Sequence, residues 1–128
     1  MIPVVLDTNI LVSALLSPLG SPAKILALVY DRQITACYDD RILMEYEAVL
    51  LRPKFPFDPA EVSIVLDSII KKGVRTIAPP LDTLFIDESD RKFYEVAKFC
   101  GAKLITGNQK HFPQEPDVVT AADFLATL

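Results

Sequence analysis

Residues 3–9, PVVLDTN, decide how the fold is read. The β-branched run Pro3 to Leu6 closing on Asp7 has the pattern of a central parallel strand buried on both faces. Asp7, Thr8 and Asn9 then offer capping side chains to the apolar stretch from Ile10 to Leu16, which closes at Ser17, Pro18 and Gly20. A strand that turns directly into a helix is the start of a βαβ unit.

Outward from this segment the same alternation continues. A helix is predicted from Ser21, with Pro22 in its first turn, to about Tyr30, and a strand over residues 34–38. Asp39 or Asp40 then caps a helix to about Arg52, with Ile42, Leu43, Tyr46, Val49 and Leu50 along one face and Glu45 and Glu47 on its opposite edges. Residues 58–72 repeat the helical pattern through Val62, Ile64, Val65, Leu66, Ile69 and Ile70, ending at Gly73. A third strand is expected over residues 74–78, followed by a proline-rich loop. A helix from about Glu88 to Cys100 puts Phe93, Val96, Ala97 and Cys100 on one face and stops at Gly101. Residues 103–106 and 117–119 read as the last strands, with a terminal helix from Ala121. Strands separated by helices imply an α/β fold with a parallel sheet.

The 128 residues fit one domain, 1–128, and the composition, 51% hydrophobic and 23% charged, supplies a buried core and excludes disorder over most of the chain. A net charge of −4 leaves no basic footprint for gripping nucleic acid by charge alone, so a phosphate substrate would need cations. Cys37 and Cys100 form neither a disulfide framework nor a zinc pattern, which points to a reduced cytoplasmic setting. The apolar run before Asp7 lacks the basic start of a secretion signal and the length of a membrane span, so no membrane association is expected.

Ligands in open parallel sheets bind beyond the carboxyl ends of the strands. There the first strand presents Asp7, Thr8 and Asn9, the fourth presents Thr106, Gly107 and Asn108, and the loop-to-helix junction carries Asp87, Glu88 and Asp90. Carboxylates on one rim repel one another and hold raised pKa values unless a cation neutralises them. Magnesium or manganese suits such oxygen ligands, activates water and stabilises charge on a phosphoryl oxygen.

Simpler readings compete. Asp7 and Asp87 are both placed to cap helices, with Asp90 in a capping-box-like relation to Asp87. Asp90, however, precedes Phe93 by one turn and so projects near the buried side of its helix, where an unpaired carboxylate is costly. Periodicity does not choose between Glu45 and Glu47. His111 reads as a partly exposed loop residue, and Arg52, Lys54, Lys71 and Lys72 as solvated faces.

Three segments together, VVLDTNILVSALL at residues 4–16, RILMEYEAVLLRPKF at 41–55 and DESDRKFYEVAKFCGAKLITGNQKHF at 87–112, resemble the PIN-domain family of nucleases, which includes many toxin components of toxin–antitoxin pairs. The resemblance implies a three-layer α/β/α sandwich with a central, mostly parallel sheet and Mg2+- or Mn2+-dependent endoribonuclease activity. It maps the metal-binding, catalytic acids to Asp7, Glu45 and Asp90, the second of these resolving the tie with Glu47. Thr8, Asn9, Asp87, Thr106 and Asn108 are left to position substrate or water. Many family members carry an Asp where Asn108 stands, which removes one negative charge and puts a second metal ion in doubt.

The expected partners are an RNA substrate, an antitoxin protein and, from the apolar composition, a second copy of the chain in a homodimer. The alternative is a PIN-like binding or partner module without activity. A phosphatase would want an Asp at position 9, and a phospho-receiver a lysine nearer the acids than Lys110.

Overall fold

The computed structural model describes residues 2–128 and contains a five-stranded, wholly parallel sheet. Its strands are β1 (Ile2–Leu6), β2 (Ile34–Tyr38), β3 (Val74–Arg75), β4 (Lys103–Ile105) and β5 (Val118–Val119), in the spatial order β3-β2-β1-β4-β5. Chain order thus runs from the centre out to one edge, then returns to build the other side of β1. Right-handed crossovers in opposite directions put their helices on opposite faces, which produces the three layers.

On the outward path lie α1 (Thr8–Leu16), α2 (Ser21–Tyr30), α3 (Asp40–Leu50) and α4 (Pro59–Lys72). The return path carries α5 (Arg91–Cys100), packed across β1, β2 and β4, and α6 (Ala121–Ala126) closes the chain against α2. The central strand begins half-exposed and ends fully buried through Val4, Val5 and Leu6. Neighbouring strands supply Ile34, Ala36, Leu104 and Ile105 to the same core. Burial of this apolar surface is the main stabilising contribution. Among the described residues, no single helix is long and apolar enough to cross a membrane.

Three local expectations need correction. β3 pairs regularly only over Val74–Arg75, although the Thr76 N–H still donates to the Tyr38 carbonyl at 2.8 Å; the edge strand is exposed and runs on toward Pro79 and Pro80, which have no N–H to extend a ladder. On α4, Val62, Val65, Leu66 and Ile69 are buried while Ile64 and Ile70 face solvent, because one helical stripe cannot hold every apolar residue of the run. The helix expected from Glu88 begins as a 3-10 turn, Glu88–Asp90, before α5 proper.

α4 ends where space, not dihedral strain, demands glycine. A Cβ on Gly73 would stand 2.4 Å from the Ala36 carbonyl oxygen and 2.5 Å from that of Ile69, and neither backbone atom can yield cheaply. Gly73→Ala is therefore expected to lower stability by about 1–3 kcal/mol. Chemical denaturation of the variant checks this, and an unchanged midpoint would refute the close-approach explanation. At the end of α5, Gly101 takes the left-handed conformation, φ 60°, that closes the helix.

Candidate active site

The order of the strands reverses between β1 and β4, and the crevice at that reversal is where the polar residues gather. Asp7, just past β1, donates its N–H to the Ile105 carbonyl at 3.0 Å, so its side chain emerges beside the end of β4. Its carboxylate is buried, 7% exposed, and Oδ2 accepts from the Thr106 hydroxyl at 2.7 Å and the Asn9 amide at 3.2 Å. Asp7 occupies the cap position of α1 but makes no capping hydrogen bond, so capping does not account for its orientation. Burial raises its pKa most, the Thr106 hydrogen bond partly offsets this, and the charge of Glu45 raises it further.

Asn9 uses both ends of its amide. While Nδ2 donates to Asp7, Oδ1 accepts from the Gly107 N–H at 3.1 Å, tying the start of α1 to the end of β4. The Thr106 hydroxyl is likewise double-duty, donating to Asp7 and accepting from the Asn108 N–H at 3.0 Å. The Asn108 residue itself is exposed at the start of the 3-10 turn Gln109–His111.

The orientation of α3 settles which glutamate faces this crevice. The buried Tyr46 hydroxyl donates to the Leu6 carbonyl at 2.5 Å, and its ring lies 6.4 Å from that of Phe93 on α5. That anchor turns the preceding residue, Glu45, toward Thr8, whose hydroxyl donates to Glu45 Oε2, and leaves Glu47 exposed. The other Glu45 oxygen pairs with Lys92 Nζ at 2.7 Å.

Asp90 comes from the entrance to α5. Its side chain is 14% exposed, and Oδ2 is buried without a hydrogen-bond partner; His111 Nδ1, on an exposed ring, stands 3.5 Å away. The carboxyl pKa is pushed up to about 6, first by burial, then by the negative charges of Asp7 and Asp87, with His111 opposing and Glu45 adding to the rise. Asp87 behaves differently. It is exposed, and its Oδ1 accepts from the Ser89 N–H and hydroxyl, a capping arrangement that lowers its pKa.

Asp7, Glu45 and Asp90 are thus electrostatically coupled around the switch point, with Thr8, Asn9 and Thr106 holding them, while Asp87 and Asn108 lie at the exposed margin. The donor set is all oxygen, and the orphaned Asp90 Oδ2 together with the raised pKa values is the condition a hard divalent cation relieves. Among the described residues no three acidic, histidine or cysteine side chains close on a single point, Glu45 being engaged by Lys92 and Thr8. The residues fit a divalent ion in the chemistry of their donors.

A second polar cluster adjoins the first and was not foreseen. Arg41 pairs with Asp39 Oδ2 at 2.7 Å and with Glu95 Oε1 at 2.8 Å, and Glu95 Oε2 accepts from the Leu81 N–H at 2.7 Å. Asp39 also caps α3 through the Ile42 N–H. Its position at the carboxyl end of β2 is the signal that a census of every strand end would have caught. Glu95 left no such signal, since it sits among apolar α5 positions like any surface acid. Of the cations read as solvated, Lys72 instead donates to the Tyr30 carbonyl at the end of α2.

A family model described as PIN domain matches residues 3–110. The uncharacterized protein MJ1680 of Methanocaldococcus jannaschii is 34% identical over 111 residues, 84% of this chain and 72% of that protein. Among solved structures, a chain of VapBC2 from Rickettsia felis, a structure of the complex bound to a DNA fragment from their promoter, superposes with a TM-score of 0.63. It shares 21% identity, over 93% of this chain and 97% of the other, and thereby supports the fold. The match spanning β1 through β4, together with the relative, shows that this chain belongs to the PIN-domain family.

Proposed function

We propose that the protein is a metal-dependent endoribonuclease and the toxin of a toxin–antitoxin pair. The observation that carries the nuclease reading is the buried Asp90 carboxylate oxygen that accepts no hydrogen bond, coupled electrostatically to Asp7 at the sheet's switch point, in a chain of a family of nucleases. The antitoxin partner is supported by the likeness to a chain of the VapBC2 complex and by the many toxin components in the family.

Asp7, Glu45 and Asp90 are the residues that would hold Mg2+ or Mn2+. A bound divalent ion supplies a lowered pKa for an attacking water and charge neutralisation for a phosphodiester oxygen. Thr106 and Asn9 keep Asp7 in one orientation, Thr8 does the same for Glu45, and the fold around them limits water on the protein side of the rim. His111, exposed, stands 3.5 Å from Asp90 at the edge of the crevice.

The expected result is cleavage of a mixed RNA pool with manganese, loss of cleavage on chelation, and its return when the ion is restored. Glu45→Gln abolishes the activity whereas Glu47→Gln, on the exposed side of α3, retains it. Cleavage that persists in chelator would overturn the reading, and a chain that binds manganese and an antitoxin but cleaves no RNA would favour the inactive partner module.

A further inference from the structure

The ammonium of Lys92 is placed unlike a surface lysine. Its side chain is 13% exposed, its Nζ is 2.7 Å from Glu45 Oε1, it donates to the Ser89 carbonyl, and it lies 5.0 Å from the centre of the Phe93 ring. Both oxygens of Glu45 are engaged, since the Thr8 hydroxyl donates to the second. Exposed lysine–carboxylate pairs are loose and contribute little; this one is directed from three sides and half enclosed.

Charge balance gives the pair a meaning. Asp7, Glu45 and Asp90 ionised carry three negative charges, and Lys92 returns one positive charge to the same cluster. Asn108 adds none, and Asp87 and His111 act on Asp90 only from the exposed margin and in opposite senses, Asp87 with its carboxylate turned to Ser89. Two uncompensated charges remain, the charge of one divalent cation. A second divalent ion would meet a neutral cluster and leave it net positive.

We propose that Lys92 is a built-in counter-ion that takes the place of a second metal, so that the site loads a single divalent cation and Glu45 is held in reserve by the lysine until that cation arrives. Lys92 is in this sense a positioning residue for Glu45. The inference rests on the metal-dependent reading of the site.

Calorimetric titration of the purified chain with manganese chloride, in parallel with Asp7→Asn, Lys92→Met and Lys92→Arg, tests it. The wild type is expected to bind one ion per chain, and Asp7→Asn to lose it. Lys92→Met, similar in length but uncharged, is expected to bind about tenfold more tightly, the size of effect one neighbouring unit charge commonly exerts, and to accept a second ion. Its metal-free form melts lower than the wild type and regains the difference with manganese. Lys92→Arg restores single occupancy. Two ions on the wild type overturn the proposal even if Lys92→Met fails to fold, and so does a folded Lys92→Met with unchanged stoichiometry and affinity. If the wild type binds one ion and loses it in Asp7→Asn while both lysine variants match it, the counter-ion role alone falls. If the wild type binds no ion, the metal-dependent reading falls with it.

Discussion

Asp90→Asn is expected to abolish RNA cleavage while raising the melting temperature of the metal-free protein. The two effects have one origin. A carboxylate with a buried oxygen that accepts no hydrogen bond among other acids is a liability in the absence of a cation and a ligand in its presence. Asparagine keeps the shape, removes the charge and supplies a donor, so the metal-free fold gains. The same change removes an ionised ligand from a site asked to supply several kcal/mol of transition-state stabilisation, which corresponds to a loss of about a hundredfold to a thousandfold in rate.

The pH dependence has a definite sign. The Asp90 pKa of about 6 lies above its ordinary value of 3.8, so between these values the folded chain holds a proton that the unfolded chain has released. Its contribution is therefore destabilising, present in full above about pH 6 and lost as pH falls toward 3.8. Melting curves should show the gap between Asp90→Asn and wild type wide at pH 7 and narrow at pH 4.5, both without metal. Manganese affinity of the wild type should fall as pH drops below about 6, where a proton competes at Asp90. A variant that melts lower than wild type at pH 7 yet still cleaves RNA would contradict the assignment on both counts.

Arg41→Met is expected to lower stability by about 2–4 kcal/mol, a fall of roughly 10 °C in Tm. Arg41 is itself half-exposed, but the two carboxylates it bridges are not, at 8% exposed for Asp39 and 1% for Glu95. Removing the guanidinium leaves both buried acids with only the backbone donors Ile42 N–H and Leu81 N–H. The change reaches toward the site. Glu95 and Arg91 both hold the backbone of Leu81, Arg91 through that residue's carbonyl at 2.6 Å, so a Glu95 left without its guanidinium loosens one support of the loop leading into Asp87 and Asp90. Adding Glu95→Gln to Arg41→Met should recover part of the loss, because a neutral amide tolerates the vacancy better. Equal stability of Arg41→Met and wild type would show that the acids are stabilised by other means.

The parts of this molecule legible from sequence were those with a local cause. PVVLD reads as a buried strand because a short β-branched run closes on a polar residue at a helix start, and the apolar phases of α3 and α5 emerge from spacing alone. The choice between Glu45 and Glu47 was not local. Rotation of α3 depends on Tyr46 reaching the Leu6 carbonyl, a contact between distant segments, and only the family resemblance pointed to Glu45 beforehand. Lys92 and Glu95 escaped notice for the same reason: each looks like an ordinary helical charge until the partner from α3 is beside it. The edge strand β3 was overestimated because β-branched residues signal extension but say nothing about whether a neighbour is present to pair.

The amide of Asn9, which touches Asp7 on one side and Gly107 on the other, carries a consequence for the order of events during synthesis. Every group that orients Asp7 from across the crevice belongs to the stretch Ile105–Gly107, which leaves the ribosome long after β1. Until that stretch docks, Asp7 lacks the Thr106 hydroxyl and the Ile105 carbonyl, although Asn9 and Glu45 are already made. The acid cluster takes its final form only when the late strand closes against the first one made.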